Sequence, residues 1–414
     1  MSSTDSHHTY FRWVMLAGVS LLYCCFAMVH FSTSSLAALM IQDLNLSLSE
    51  MGNVMGAWPM AYILLSIPVG LLLDRFGIRY MLLLGIAAVA VSVYMRSTAT
   101  NYEEMFFAIL IFGIGAPFIS LGVPKLVREW FAYEQRGIAL GICISMTALG
   151  SILGLTLTHE LIPLFDGSWR LTLKFYATIC TLAALIWLLI IFHPLCRLNA
   201  KGKSEETMAE IFSACLQLLR TPTTQAILIL GVGMFFYMHA TINWLPKLIA
   251  DSNFGLSVAS AAYWASLPIF VGMLSAFIVP KFISKVGEIK ILTILFLIAC
   301  TSCLLMSTSI SIIILFTALA LVGVVRGAIP PVSVLLLMHL PGVTQKNIGA
   351  ATGLFFAFGQ IGGSMGPITF GYLAEESGGF DIPLYFLAGV CIVLALMSIN
   401  IARRKEGKMD KFVE

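Results

Sequence analysis

Long apolar stretches separated by short polar ones run through the whole chain. Twelve such runs fall at about 11–40, 50–73, 80–100, 102–127, 136–162, 169–193, 223–250, 257–283, 290–308, 310–338, 347–373 and 381–402. A membrane-crossing helix needs roughly 20 predominantly apolar residues, so each run is long enough. Lipid offers the backbone no hydrogen-bond partner, which makes helices the expected form of every run. The longest polar interruption spans 193–223, includes Lys201-Gly-Lys-Ser-Glu-Glu206, and divides the runs six and six. The expected organisation is therefore a bundle over 1–195, a cytoplasmic linker over 196–222 and a second bundle over 223–414. Within the linker, 206–219 alternates apolar and polar positions and predicts a short helix lying on a membrane surface.

The two sets of six runs read as a repeat. At an offset of 208 to 212, His30 matches His239, each with a phenylalanine four residues earlier (Phe26, Phe235). Pro59 matches Pro268, Arg75 matches Lys285, Gly77 matches Gly287 and Gly113 matches Gly323. Gly137, Gly141, Gly150 and Gly154 match Gly349, Gly353, Gly362 and Gly366. Two related six-helix halves are an architecture of transporters that hold a solute near the bilayer midplane. The paired glycines, spaced by four, predict close helix packing on runs 5 and 11 that lets the halves rock.

Composition narrows the classes further. Of 414 residues, 59% are apolar and 11% charged, against about 45–50% and 25% in an average soluble domain. A net charge of +3 is too small for a nucleic-acid footprint. Nine cysteines, an odd number mostly inside apolar runs, read as small packing residues rather than a disulfide framework. Placing both termini in the cytoplasm puts 19 of the 24 Lys and Arg on that side, with Arg96, Arg170, Lys174 and Lys247 opposite and Arg326 inside the membrane. That asymmetry sets the expected orientation. No carboxylate pair, metal-ligand cluster or nucleophile with a base stands at helical spacing, so neither catalysis nor a cofactor is expected.

After the second run comes Gly70-Leu-Leu-Leu-Asp74-Arg75-Phe76-Gly77-Ile78-Arg79. This resembles motif A of the major facilitator superfamily, with Ile78 in place of the first of two basic residues. The resemblance in topology and repeat covers nearly the whole chain. It implies a fold of twelve transmembrane helices in two pseudo-symmetric six-helix bundles, an inner-membrane location and a monomer. It also implies a cytoplasmic latch in which Asp74 pairs with a cation of helix 4, Arg128 first and Arg136 second, and with the N-terminus of helix 11. Gly70 would permit close helix approach and Gly77 a tight turn. The second copy has Ser284 where the acid would stand, so the latch is expected on one side only.

Arg326 lies in Leu321-Val-Gly-Val-Val-Arg326-Gly-Ala-Ile-Pro-Pro331, in the middle of run 10. A charge there must face a cavity or a partner, and every Asp and Glu falls in a loop, a tail or near a run's end. The guanidinium fork matches a carboxylate or similar oxyanion. The competing reading is an arginine bonded to backbone carbonyls or to Gln360. His30 and His239, at equivalent depths of runs 1 and 7, can donate to an anion and change charge near neutral pH, or simply pack. Tyr62, Tyr237, Asn243 and Gln360 complete the candidate lining, with Tyr23, Tyr263 and Trp264 as further polar or aromatic surface. Lys125 and Lys174 lie close enough to run ends to snorkel; Lys125 would reach the cytoplasmic mouth.

These features predict a secondary transporter that moves a small anionic, organic acid-like solute by alternating access. A proton is the candidate coupling ion, carried by a histidine or the solute. Asn243-Trp-Leu-Pro-Lys247 and Pro124-Lys-Leu-Val-Arg128 resemble the cyanate-permease and nitrate-porter neighbourhood of the superfamily. The Asn-containing glycine signature of nitrate porters is absent from 141–154 and 353–366. The alternative is a proton-coupled exporter of drugs or neutral solutes. That activity calls for a buried acid and a proline-glycine motif on helix 5, which Gly150-Ser-Ile-Leu-Gly154 lacks.

Overall fold

The computed structural model describes residues 3–197, 208–251, 256–308, 311–338, 343 and 348–409. Twelve long helices account for most of them. They are α1 (Ser3–Asp43), α2 (Leu48–Phe76), α3 (Ile78–Thr98), α4 (Tyr102–Trp130), α5 (Tyr133–Leu164) and α6 (Trp169–Phe192), then α7 (Pro222–Ala250), α8 (Val258–Ile278), α9 (Glu288–Ser307), α10 (Ile312–Met338), α11 (Ile348–Ser377) and α12 (Asp381–Met409). No strand occurs among the described residues. Eleven of the twelve are long and apolar enough to cross a membrane. The other, α11, has the length, but its glycines and Gln360 dilute its apolar character.

Local chemistry sets several boundaries. Ser47 and Glu50 form a reciprocal capping box at the start of α2: the Glu50 amide donates to Ser47 Oγ (3.1 Å) and the Ser47 amide to the Glu50 carboxylate (2.8 Å). Asn101, Ser168 and Ser257 accept amide hydrogens at the starts of α4, α6 and α8. Gly77 (φ +88°) and Gly287 (φ +87°) open α3 and α9 with nearly the same backbone, one that a side chain rarely tolerates. The polar linker contains a short helix, Met208–Leu219, which packs against α7 and α11. The 201–206 stretch lies outside the described residues.

The chain divides into two units, Met1–Leu46 with Ala57–Glu205, and Ser47–Gly56 with Glu206–Glu414. In the first, α1 packs on α5, and α3 on α4 and α6. In the second, α7 packs on α11, α8 on α10, and α9 on α10 and α12. With α2 and α4 also touching at Gly113, where a Cβ would stand 2.3 Å from the Trp58 carbonyl oxygen, the same helices of each set of six pair. Glycine makes the closest approaches. A Cβ at Gly150 or Gly154 would stand 2.1 and 2.4 Å from the Cys24 and Met28 carbonyl oxygens of α1; at Gly362 or Gly366, 1.8 and 2.3 Å from those of Val232 and Phe236 on α7. These contacts lie inside each unit. Gly137, Gly141 and Gly353 meet nothing within 4 Å, so three of the eight predicted glycines are not packing surface. Gly349 lies among residues whose side-chain surroundings are not described.

All nine cysteines are unpaired, and all but Cys215 are buried, as expected of small packing residues.

Candidate functional site

The second unit holds the polar group around Arg326. Val322, Val325, Ile329 and Val332 form the buried stripe of α10. Arg326 is offset from that stripe and only partly buried. Its guanidinium lies within electrostatic reach of the His239 ring on α7, which in turn stacks on Phe235 (ring centroids 5.8 Å apart). Gln360 on α11 is 6% exposed, and its Oε1 has no hydrogen-bond partner among the described residues. Gly363 sits against both side chains: a Cβ there would be 2.7 Å from Gln360 Oε1 and 3.3 Å from His239 Nδ1. The helix pairing α7–α11, built on Gly362 and Gly366, thus brings His239 and Gln360 to the same place.

Other candidates in this unit are engaged in packing. Tyr237 shares a hydrogen bond with Ser302 of α9 (3.0 Å). Asn243 Nδ2 donates to the His239 carbonyl one turn earlier (2.8 Å). Tyr263 and Trp264 lie along an open recess on α8 with Ser266, Leu267 and Phe270.

In the first unit His30 is partly buried among aromatic rings, its ring centroid 5.2 Å from that of Trp58 and 6.0 Å from that of Phe112. Tyr62 joins Ser120 of α4 (3.1 Å). Tyr23 is partly buried on α1. Arg96 corrects the charge inventory. Its place in the sequence suggests a loop opposite the cytoplasm, but it is 1% exposed and donates to Thr33 (2.7 Å), the Val29 carbonyl (3.3 Å) and Ser92 (3.2 Å). Its guanidinium lies 5.0 Å from the Phe112 ring centroid. The sequence does carry a signal for this: Leu82, Ile86, Val89, Val93 and Arg96 form one buried stripe at helical spacing. The position of Arg96 near a run's end disguises it. Lys174 is exposed, and Arg170 and Lys247 pair with Asp43 and Asp251.

The motif after α2 is also rearranged from expectation. Asp74 pairs with Lys125, not Arg128, at 2.7 Å, and Lys125 Nζ also reaches the Gly70 carbonyl (3.2 Å). Lys125 lies one turn deeper on α4 than Arg128, on the side facing α2. Arg128 is exposed, and its carbonyl accepts from Arg136, which also donates to Phe131 O (3.1 Å each). Arg79 donates to the Cys196 carbonyl and, at 3.1 Å, to its Sγ. Arg75 covers the Phe76 ring (5.5 Å). Nothing lies within 4 Å of a Cβ at Gly70, so this glycine contributes a carbonyl rather than a close approach. Of the segment 339–347 that leads into α11, only residue 343 is described, so the expected contact of Asp74 with the start of α11 lies outside the described residues.

The family model of the Major Facilitator Superfamily matches residues 19–347. The hexuronate transporter of Bacillus subtilis (strain 168) is 24% identical over 91% of this chain and 92% of its own length. The probable galactarate/D-glucarate transporter GudP of Escherichia coli (strain K12) is 24% identical over 87% and 86%. Multidrug resistance protein 1 of Bacillus subtilis (strain 168) is 24% identical over 84% and 85%. Among solved structures, that of the nucleoside transporter NupG aligns with a TM-score of 0.75 at 16% identity, covering 93% of this chain and 98% of that one. With twelve long helices in two matching sets and a family match over most of its length, this chain is a multi-pass membrane protein and a transporter, not an enzyme, and belongs to the major facilitator superfamily.

Proposed function

We propose that the protein is a secondary active transporter of a small organic acid, which binds as an anion at Arg326 with His239 and Gln360 beside it. The carrying observation is the sign of the interior. Arg96 is buried and Arg326 and His239 lie within the packed helices, whereas no Asp or Glu is among the buried residues described. A cationic interior attracts an oxyanion and repels a cation. Relatives named for hexuronate and for galactarate and glucarate, all small carboxylates, support the same solute class.

Alternating access is the mechanism that two matching six-helix units suit. The bundles are assigned to 1–195 and 223–414, joined by the linker. The excess of Lys and Arg after even-numbered runs supports cytoplasmic termini in the plasma membrane. Where a proton is coupled, a histidine or the acid itself carries it. A second reading, proton-coupled export of drugs, has the relative named for multidrug resistance behind it. The lack of a buried acid among the described residues counts against it, since a cationic drug needs a counter-charge.

The test is thermal unfolding of detergent-purified protein against a panel of small anions, cations and neutral solutes. A bound ligand stabilises by mass action, about 2.7 kcal/mol at 100 times its dissociation constant. Stabilisation by carboxylates alone supports the reading; stabilisation by cations alone refutes it.

The Asp74–Lys125 pair is assigned the latch role. Both side chains are about a third exposed, so the pair adds little to static stability. Asp74→Asn is expected to lower the uptake rate about tenfold while anion affinity stays within about twofold. The two are read separately by transport assay and calorimetry. Loss of affinity at unchanged rate would contradict the latch.

A further inference from the structure

Gln360 does something the anion reading alone does not require. Its side chain is enclosed, 6% exposed, yet Oε1 meets no donor among the described residues. Burying an amide oxygen without a hydrogen bond is costly, and such a group in a native fold calls for an explanation. One turn along α11, Ser364 is 4% exposed and its Oγ is likewise without a partner among the described residues. Positions four apart share a helix face, so two unmet polar atoms stand in one line.

Between them in sequence lies Gly363. Its missing side chain matters, because a Cβ would stand 2.7 Å from Gln360 Oε1 and 3.2 Å from His239 Cε1. Glycine thus lets the amide oxygen and the imidazole close in on α11 at this point, and Arg326 lies within electrostatic reach of that imidazole. Chemistry dictates what fits. An amide oxygen only accepts hydrogen bonds, so it repels a carboxylate and takes a hydroxyl hydrogen; a serine hydroxyl can both donate and accept. The complement of this face is a molecule with an oxyanion for Arg326 and hydroxyl groups a short distance along its carbon chain.

We propose that Gln360, seated against Gly363 and extended by Ser364, is the specificity-determining position that reads substrate hydroxyls, so that hydroxylated carboxylates are selected over their deoxy counterparts. This rests on the anion reading above and adds to it the atom that discriminates. A site built to bond a hydroxyl rejects the analogue lacking it more strongly than an apolar pocket rejects an added group.

The experiment is calorimetric titration of the full-length purified protein with three acid pairs differing only in hydroxyls: lactate and propionate, tartrate and succinate, glucarate and adipate. Wild type is expected to bind the hydroxylated member of at least one pair tenfold or more tighter. Gln360→Leu, an apolar change suited to a membrane helix, is expected to bring that ratio within twofold by weakening the hydroxylated acid more than the deoxy one. Gly363→Ala, which retains Gln360 but pushes its Oε1 aside, is expected to reduce the ratio as well. Wild-type binding of both members equally overturns the proposal, as does a ratio that survives in Gln360→Leu with an unchanged melting temperature. Binding of no acid at all overturns the anion reading itself and the proposal with it.

Discussion

Arg326→Ala is expected to leave the protein folded in the membrane and to weaken acid binding on the order of 100-fold, abolishing uptake at ordinary concentrations. Truncating one partner of a desolvated charge pair costs about 2–5 kcal/mol, and each 1.4 kcal/mol is tenfold in affinity. The fold should not suffer equally. A cation near the centre of a spanning helix costs about 2.5–3.5 kcal/mol to place there, so alanine relieves a penalty as it removes a ligand. The unliganded melting temperature should hold or rise while stabilisation by carboxylates disappears. Arg326→Lys should be intermediate, because an ammonium keeps the charge and loses the bidentate fork. A collapse of the unliganded melting temperature in Arg326→Ala would instead make this residue a structural pin.

The other large effect concerns packing. Gly362→Val is expected to disrupt the second unit. The first added carbon would lie 1.8 Å from the Val232 carbonyl oxygen, a backbone atom that cannot swing aside. Overpacking a well-filled core costs about 1–3 kcal/mol or more, and here two helices must separate along a seam that also carries Gly366. The expected readout is loss of the monodisperse peak in detergent size-exclusion chromatography, or a melting temperature lower by roughly 10 °C. Gly353→Ala is the control on the same helix. Nothing lies within 4 Å of its new carbon, and its melting temperature should match wild type. Equal behaviour of the two variants would contradict the α7–α11 contact.

The apolar runs are legible because lipid permits the backbone so few forms. Each run has its helix, with ends displaced by a few residues where polar caps extend it, as at Tyr133–Leu164 against 136–162. The repeat is legible for a related reason. Positions where backbones touch tolerate only glycine, and Gly150 and Gly362 meet α1 and α7 in matching ways. What escapes depends on helix rotation rather than composition. Asp74 can be matched by sign to Lys125 or Arg128 of α4, and only the turn of that helix selects Lys125; Arg136 lies on α5. Arg96 reads as a loop charge because hydropathy counts residues without regard to face, although its stripe is readable. Tyr62 and Tyr237 look like ligands by type, and serines on neighbouring helices engage both hydroxyls. Gly70 and Gly353 carry the spacing of contact glycines without the contact.

In the proposed function a cationic interior centred on Arg326 carries a small organic acid across the membrane. Uptake of radiolabelled glucarate and glucuronate into proteoliposomes, measured for wild type and Arg326→Ala under an imposed proton gradient, tests it most directly. Wild type is expected to take up at least one acid above empty vesicles, with competition by unlabelled carboxylates and loss of uptake in the variant. Normal uptake by Arg326→Ala, or wild-type transport of a cationic drug with neither acid moved, would contradict it.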